Sequence, residues 1–268
     1  MNIRQIKIDF NVTPDIKRYV YVYAVESDKA VILIDSGVSG CESIIEKAVE
    51  EDGYNSVDIK AVLLTHAHPD HIGTAAYFSE KYGAKIYASA GERPWIEDID
   101  LQFSQRPIPN FYALAGKSAR VDIIVKDSDT AEIDGIKIKV IGTSGHSADE
   151  VSYQIDNAVF VGDAIPVKGD IPIFVNLEST KKSLDRLESL IDADFFYPAW
   201  DRTYQGEEIK IKIAEGKEIV NIIEKTVNEN DKGQDNKALV DSVCERLNML
   251  FLKTNPLFAR TVEACRKE

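Results

Sequence analysis

Three of the chain's four histidines stand within six residues, His66-Ala67-His68-Pro69-Asp70-His71, directly behind the apolar run Val62-Leu63-Leu64. Alternation along an extended segment puts His66 and His68 on one side, so two imidazoles can reach one cation at about 2.0 to 2.1 Å. Pro69 then forces a bend, which redirects Asp70 and His71 toward a second cation beside the first, while Ile72-Gly73 starts a helix. The fourth histidine, His146, stands in a Gly-containing turn, Thr143-Ser144-Gly145-His146-Ser147, after an alternating strand. A zinc site needs three protein ligands, and His66 with His68 supplies two, which makes His146 the candidate third. Gly162-Asp163 ends the apolar strand at 158–161 and places a carboxylate where two cations could share its oxygens. Taken alone, a loop histidine is a surface group and a strand-end aspartate a turn residue or helix cap. The six-residue cluster is what changes both readings.

Two cations so placed share a water, lower its pKa from 15.7 toward about 7, polarise a carbonyl oxygen and stabilise the leaving group. No side-chain nucleophile is then needed. The chain has no G-x-S-x-G elbow and no cysteine beside any histidine. The expectation is a binuclear metal-dependent hydrolase that works through a metal-bound hydroxide on a small ester, thioester or lactone. Asp70 is also placed to handle the proton, as the candidate catalytic residue. Zinc is the expected metal, with iron or manganese as alternatives.

The elements that must position these groups follow from periodicity. Alternation marks strands at 3–10, 19–24, 31–35, 59–64 and 85–87. Helical stripes intervene at Ile44, Ile45, Ala48 and Val49, and at Ala75, Ala76, Phe78 and Tyr82. A second series follows, with a hairpin signal at Asp134-Gly135, another at Asp156-Asn157, a helix carrying Leu184, Leu187, Leu190 and Ile191, and a strand at 195–197. Between the series, residues 101–117 show two prolines and no clean period, which predicts a long loop of the kind kept for lids or binding. After Gln205 the pattern turns helical, with stripes through Val240, Val243, Cys244, Leu247 and Phe251 and, after Asn255-Pro256, through Phe258 and Val262. A polar linker is expected at 228–236. The division predicted is a metallohydrolase domain at 1–205 and a C-terminal helical extension at 206–268, whose apolar stripe needs a cover, over the active site or as a homodimer contact.

In their order and spacing, Ile34-Asp35-Ser36-Gly37, the His66–His71 cluster, Gly145-His146-Ser147 and Gly162-Asp163 resemble the metallo-β-lactamase fold superfamily, hydrolases that include glyoxalase II, lactonases and ribonuclease Z. The match covers roughly residues 1–203. It implies an α/β protein with a four-layer αββα sandwich. By the same resemblance His66, His68 and His146 hold the first metal, Asp70 and His71 the second, Asp163 bridges them, and Asp35 stands in the outer shell. The alternative for Asp35 is a plain strand-end residue before Gly37. The family's last histidine has no counterpart here, and Tyr197-Pro198-Ala199-Trp200-Asp201-Arg202 stands in its place. Asp201 is the candidate substitute ligand, since carboxylates also bind zinc and suit harder cations better. Its alternative is an ion pair with Arg202 or another surface cation.

Other classes fit less well. A diiron oxidoreductase-like module of the same superfamily carries Glu where this chain has His68, and no flavin-binding domain follows. A small cyclic phosphodiester is an alternative substrate for two metals. Nucleic acid is not expected as a partner, because 32 Lys plus Arg against 45 Asp plus Glu leave a net charge of −13 among 268 residues. No signal segment or run of about 20 apolar residues is visible, so no membrane association is expected. Cys41, Cys244 and Cys265 are an odd, scattered set, which predicts buried thiols in a reducing cytoplasm.

Overall fold

The computed structural model of the chain describes residues 2–27 and 30–266. The first half runs β1 (Asn2–Thr13), β2 (Ile16–Glu26), β3 (Val31–Ile34), α1 (Glu42–Glu51), β4 (Ile59–Leu63), α2 (Pro69–Ile72), α3 (Ala75–Tyr82), β5 (Lys85–Ser89), α4 (Arg93–Glu97), α5 (Ile99–Gln105), α6 (Phe111–Ala115) and β6 (Ile123–Val125). Its six strands form one sheet in sequence order, antiparallel from β1 to β3 and parallel from β3 to β6. The second half runs β7 (Thr130–Ile133), β8 (Ile136–Gly142), β9 (Val151–Ile155), β10 (Ala158–Gly162), α7 (Leu177–Glu188), β11 (Phe195–Pro198) and β12 (Tyr204–Gln205). These strands form a second sheet, again ordered as in the sequence. Three helices close the chain, α8 (Glu207–Asn230), α9 (Asn236–Arg246) and α10 (Pro256–Ala264).

Strand alternation sends neighbouring residues into different cores, which is why the apolar runs need no polar face. Leu63 of β4 and Phe160 of β10 meet between the sheets, with Tyr23, Ile34 and Tyr153. Val62 of β4 faces the other way, onto Ile45, Val49 and Phe78 of α1 and α3. Val159 and Val161 of β10 face outward onto Leu184 and Leu187 of α7, Val220 of α8, Val243 of α9 and Phe258 of α10. The result is the αββα sandwich, with the chain's last three helices packed into the same outer core as α7.

The Asp134-Gly135 hairpin forms as expected, both residues having positive φ (46° and 89°), as a two-residue I′ turn requires. Two local expectations are corrected. The stretch 101–117 holds most of α5 and all of α6, separated by Pro107 and Pro109. Helices of seven and five residues are too short to show a period. The polar linker is also shorter than expected, because α8 continues through Asn230.

Candidate metal centre

Past the end of β4 the chain stays extended beside β5, where Leu64 N donates to Tyr87 O, and this carries His66 and His68 beyond the sheet edge. His68 is the last extended residue (φ −66°, ψ 150°), and Pro69 occupies the first turn of α2, where its missing N–H costs nothing. The helix turns Asp70 and His71 inward. Its far end is clamped by Gly73, whose N–H donates to Gly37 O; a Cβ there would meet Ser39 N at 2.2 Å and Leu114 O at 2.5 Å. Gly145 is held as closely, against Thr180, and fixes the turn that carries His146.

Three ring nitrogens converge, His66 Nε2 and His146 Nε2 each 2.9 Å from His68 Nδ1. The remaining contacts set the tautomers. His146 Nδ1 donates to Ile173 O at 3.0 Å, so Nε2 keeps a lone pair facing the centre. His66 Nδ1 lies 3.0 Å from Thr65 Oγ1, whose own proton goes to Asp35, and the same argument holds. Beside this triad, His71 Nε2 lies 3.4 Å from Asp163 Oδ1 and 3.6 Å from Asp70 Oδ2. Asp163 Oδ2 is 3.2 Å from His146 Nε2, so this one carboxylate faces both groups. His71 Nδ1 donates to Asp35 Oδ2 at 2.8 Å. Asp35 has φ 58° and also accepts from Thr65 N and Oγ1, which makes it the partner that aims His71.

The donor set fits cations. His71 Nε2 and Asp163 Oδ1 are buried without a hydrogen-bond partner, and both face the same space, where a cation would take the place of a proton on Nε2. Two sets of ligand atoms, His66 with His68 and His146, and His66 with His71 and Asp163, each lie within 4.8 Å of one another. Burial pulls the His66 and His68 imidazoles well below their usual range, and brings His146 to about 4 despite Asp163. Burial works against a charged His71 too, but Asp163, Asp35 and Asp70 outweigh it and raise its pKa. Burial raises Asp70, whereas His71 and His146 overcome burial at Asp163 and lower it.

Asp201 is not brought into this cluster. Its carboxylate accepts from its neighbour Arg202 N at 2.8 Å and from Tyr204 OH at 3.0 Å, with Lys212 Nζ at 3.8 Å. The cation paired with it is Lys212 rather than Arg202, whose guanidinium binds Glu208. The residue of this loop that reaches the centre is Trp200, whose Nε1 donates to Asp163 Oδ2 at 2.9 Å.

Four further residues carried no signal in the sequence. Glu92, buried after β5, accepts from Ala67 N, Ser147 Oγ and Asp149 N, and so ties the His66–His68 segment to the His146 turn. Gln102 of α5 donates to Ala67 O at 2.6 Å, securing the other side of the same peptide. Glu150 accepts from Asp163 N at 2.9 Å, and burial raises its pKa well above normal. Arg106 ends α5, and burial lowers its pKa to about 10. Two cavities open on the centre and share His68, Arg106 and His146 as walls. The smaller, 190 Å³, reaches Trp95 and Arg260; the larger, 380 Å³, holds Asp70 and Asp163 and is walled by apolar groups such as Ile108, Ile165 and Trp200.

The profile of the metallo-beta-lactamase superfamily matches residues 16–199, more than half of the chain. The chain is 30% identical over 151 residues to the probable polyketide biosynthesis zinc-dependent hydrolase BaeB of Bacillus velezensis, covering 56% of each chain. It is 29% identical over 183 residues to a hydroxyacylglutathione hydrolase of Prochlorococcus marinus, covering 66% of this chain and 63% of that one. These alignments therefore span about half to two thirds of those relatives. Among solved structures, a metallo-beta-lactamase family protein from Thermus thermophilus superposes with a TM-score of 0.76 at 18% identity, over 98% of this chain and 91% of that one. A beta-lactamase domain protein from Burkholderia ambifaria gives 0.72 at 17% identity, over 98% and 84%. No helix among the described residues is long and apolar enough to cross a membrane.

Proposed function

The chain belongs to the metallo-beta-lactamase superfamily, and from that premise we propose that it is a hydrolase with two divalent ions, zinc first among them, acting on a small ester, thioester or lactone. The observation that carries this reading is the buried pair His71 Nε2 and Asp163 Oδ1, neither with a hydrogen-bond partner, facing each other at 3.4 Å. Buried acceptors repel across such a gap unless a cation or a proton lies between them. A pair of divalent ions supplies a water acidified toward neutral pH and an electrophile for the carbonyl oxygen. His66, His68 and His146 are the ligands of one ion, Asp70 and His71 of the other, and Asp163 faces both.

The rest of the work falls to the chain's own groups. Trp200 donates to Asp163 Oδ2 and Glu150 accepts from the Asp163 backbone N–H, which holds the residue at side chain and main chain while Oδ1 is left for the ions. Asp70 opens on the larger cavity, where its carboxylate is placed to take a proton and return it to the departing oxygen or sulfur. The apolar walls of that cavity receive an apolar part of the substrate and exclude water around it. Zinc-dependent hydrolysis is the activity named for BaeB, a relative of similar sequence, which supports the choice of reaction class.

Elemental analysis after metal reconstitution, with a panel of thioesters, esters and lactones, tests the reading. Two ions per chain are expected, with hydrolysis abolished by chelation and by His68→Ala. A reproducible stoichiometry of one or none would overturn the binuclear reading, and hydrolysis persisting in metal-free protein would overturn the mechanism.

A further inference from the structure

Among the described residues Arg106 is the only lysine or arginine that is buried, at 6% exposure. Its backbone N–H is bonded to Gln102 O. Among the described residues its guanidinium makes no hydrogen bond and has no carboxylate within salt-bridge distance; what acts on it is the longer-range field of Asp70, Asp163 and Glu92, opposed by Arg260. A buried cation with five unused donors is costly unless something completes it. Water alone is a poor explanation, because the fold places a second cation on the same cavity. Arg260 of α10 lines the smaller cavity with Arg106, and its own guanidinium donates to Gln105 O, next to Arg106 in the chain. Two like charges are thus built toward one space.

The nearby carboxylates do not answer them. Glu92 has three donors on its two oxygens. Asp70 and Asp163 are the groups assigned above to the metal ions, and two divalent ions would more than neutralise them. What is missing at Arg106 is an anion from outside, and the guanidinium fork matches the planar pair of oxygens on a carboxylate or phosphate. We propose that Arg106, with Arg260 beside it, binds an oxyanion carried by the substrate, so that the chain acts on acyl compounds with a negatively charged group at the end remote from the scissile bond. The anion enters the smaller cavity while the acyl carbon lies over the ligands that both cavities share. This rests on the hydrolase reading for the reaction, though not for the binding.

The experiment has two arms. In the first, metal-loaded protein is given matched thioesters of equal length ending in a carboxylate, a phosphate or a neutral primary amide. Wild type should prefer a charged end, and Arg106→Gln should reduce the ratio of kcat/KM for charged over neutral substrate at least tenfold, through KM. Arg106→Lys and Arg260→Gln should reduce it less, and they carry the test if Arg106→Gln does not fold. In the second arm, succinate and methyl phosphate are titrated while the emission of Trp95 and Trp200, which line the two cavities, is followed. Binding should be saturable in wild type and at least tenfold weaker in Arg106→Gln at equal metal content, and the tighter anion identifies the source. An unchanged selectivity ratio together with unchanged anion affinity in the variants would overturn the subsite. If wild type cleaves neither the thioesters nor the ester and lactone panel, it is the hydrolase reading that fails, and the second arm still decides the role of Arg106.

Discussion

His66, His68 and His146 offer three neutral donors on backbone that the sheets hold directly, whereas Asp70, His71 and Asp163 bring two carboxylates and depend on partners gathered from distant elements. The first group sits where the chain leaves β4 and β8, and its ring orientations are set by Thr65 and by a carbonyl at Ile173. The second needs Asp35 behind His71 and Trp200 on Asp163, residues separated by more than half the chain. The electrostatics divide in the same way. Burial keeps the first three imidazoles neutral at pH 7, ready to bind, while the carboxylates around His71 favour its protonated form. On the two-ion reading the difference teaches that one ion would enter a preformed neutral site and the other would have to displace a proton.

The largest expected effect follows from that contrast. A raised pKa at His71 means that protons compete for its nitrogen at higher pH than at His146, where competition begins only near pH 4. As pH falls, the second ion should therefore leave while the first remains, and ion content should pass through a plateau at one per chain. Dialysis against metal-free buffers of decreasing pH, with elemental analysis, measures this directly. Simultaneous loss of both ions would break the comparison.

A smaller effect is expected at Asp35→Asn. The amide oxygen can still accept from Thr65 N, but its NH2 then faces the proton on His71 Nδ1, donor against donor. Asparagine tolerates the φ of 58°, so the backbone is not the cause of any loss. Affinity for the second ion should fall about 10- to 100-fold, as for other partners of ligating histidines. The first ion should be held as in wild type, which competitive titration with a chromophoric chelator resolves.

The sequence is legible so far into the first site because candidate ligands of rare type lie within six residues, and because the long apolar strands leave little freedom in where those residues emerge. His146 and Asp163 came from the need for more donors at strand ends. The supporting groups were hidden for a physical reason: Glu92, Gln102 and Arg106 act across contacts with residues far away in the chain, and nothing in their local pattern separates them from surface polar residues. Glu150, four residues after His146, looked like an ordinary charge because its burial arises only when the sheets close. The loop after β11 misled in a different way. The resemblance implies a ligand there and Asp201 offers a carboxylate at that place, whereas the indole of Trp200 has no metal-binding chemistry of its own and acts through its N–H on Asp163.

Asp201 supplies the smallest expected effect and the sharpest test of that point. Its oxygens serve a backbone N–H, the Tyr204 hydroxyl and, at longer range, Lys212, all within the β11–β12 turn and the start of α8. Asp201→Ala removes an acceptor from the buried Tyr204, a change of about 1 kcal/mol or somewhat more, visible as a small fall in Tm. Asp201→Asn keeps an acceptor and should restore most of it. Neither variant should change the affinity for either ion, because the contact that stabilises Asp163 comes from Trp200. Trp200→Phe deletes only the indole N–H from that contact, and should weaken binding of the second ion more than either change at Asp201. A selective loss of the second ion in Asp201→Ala, with Tm unchanged, would reverse the assignment and return the carboxylate to the metal.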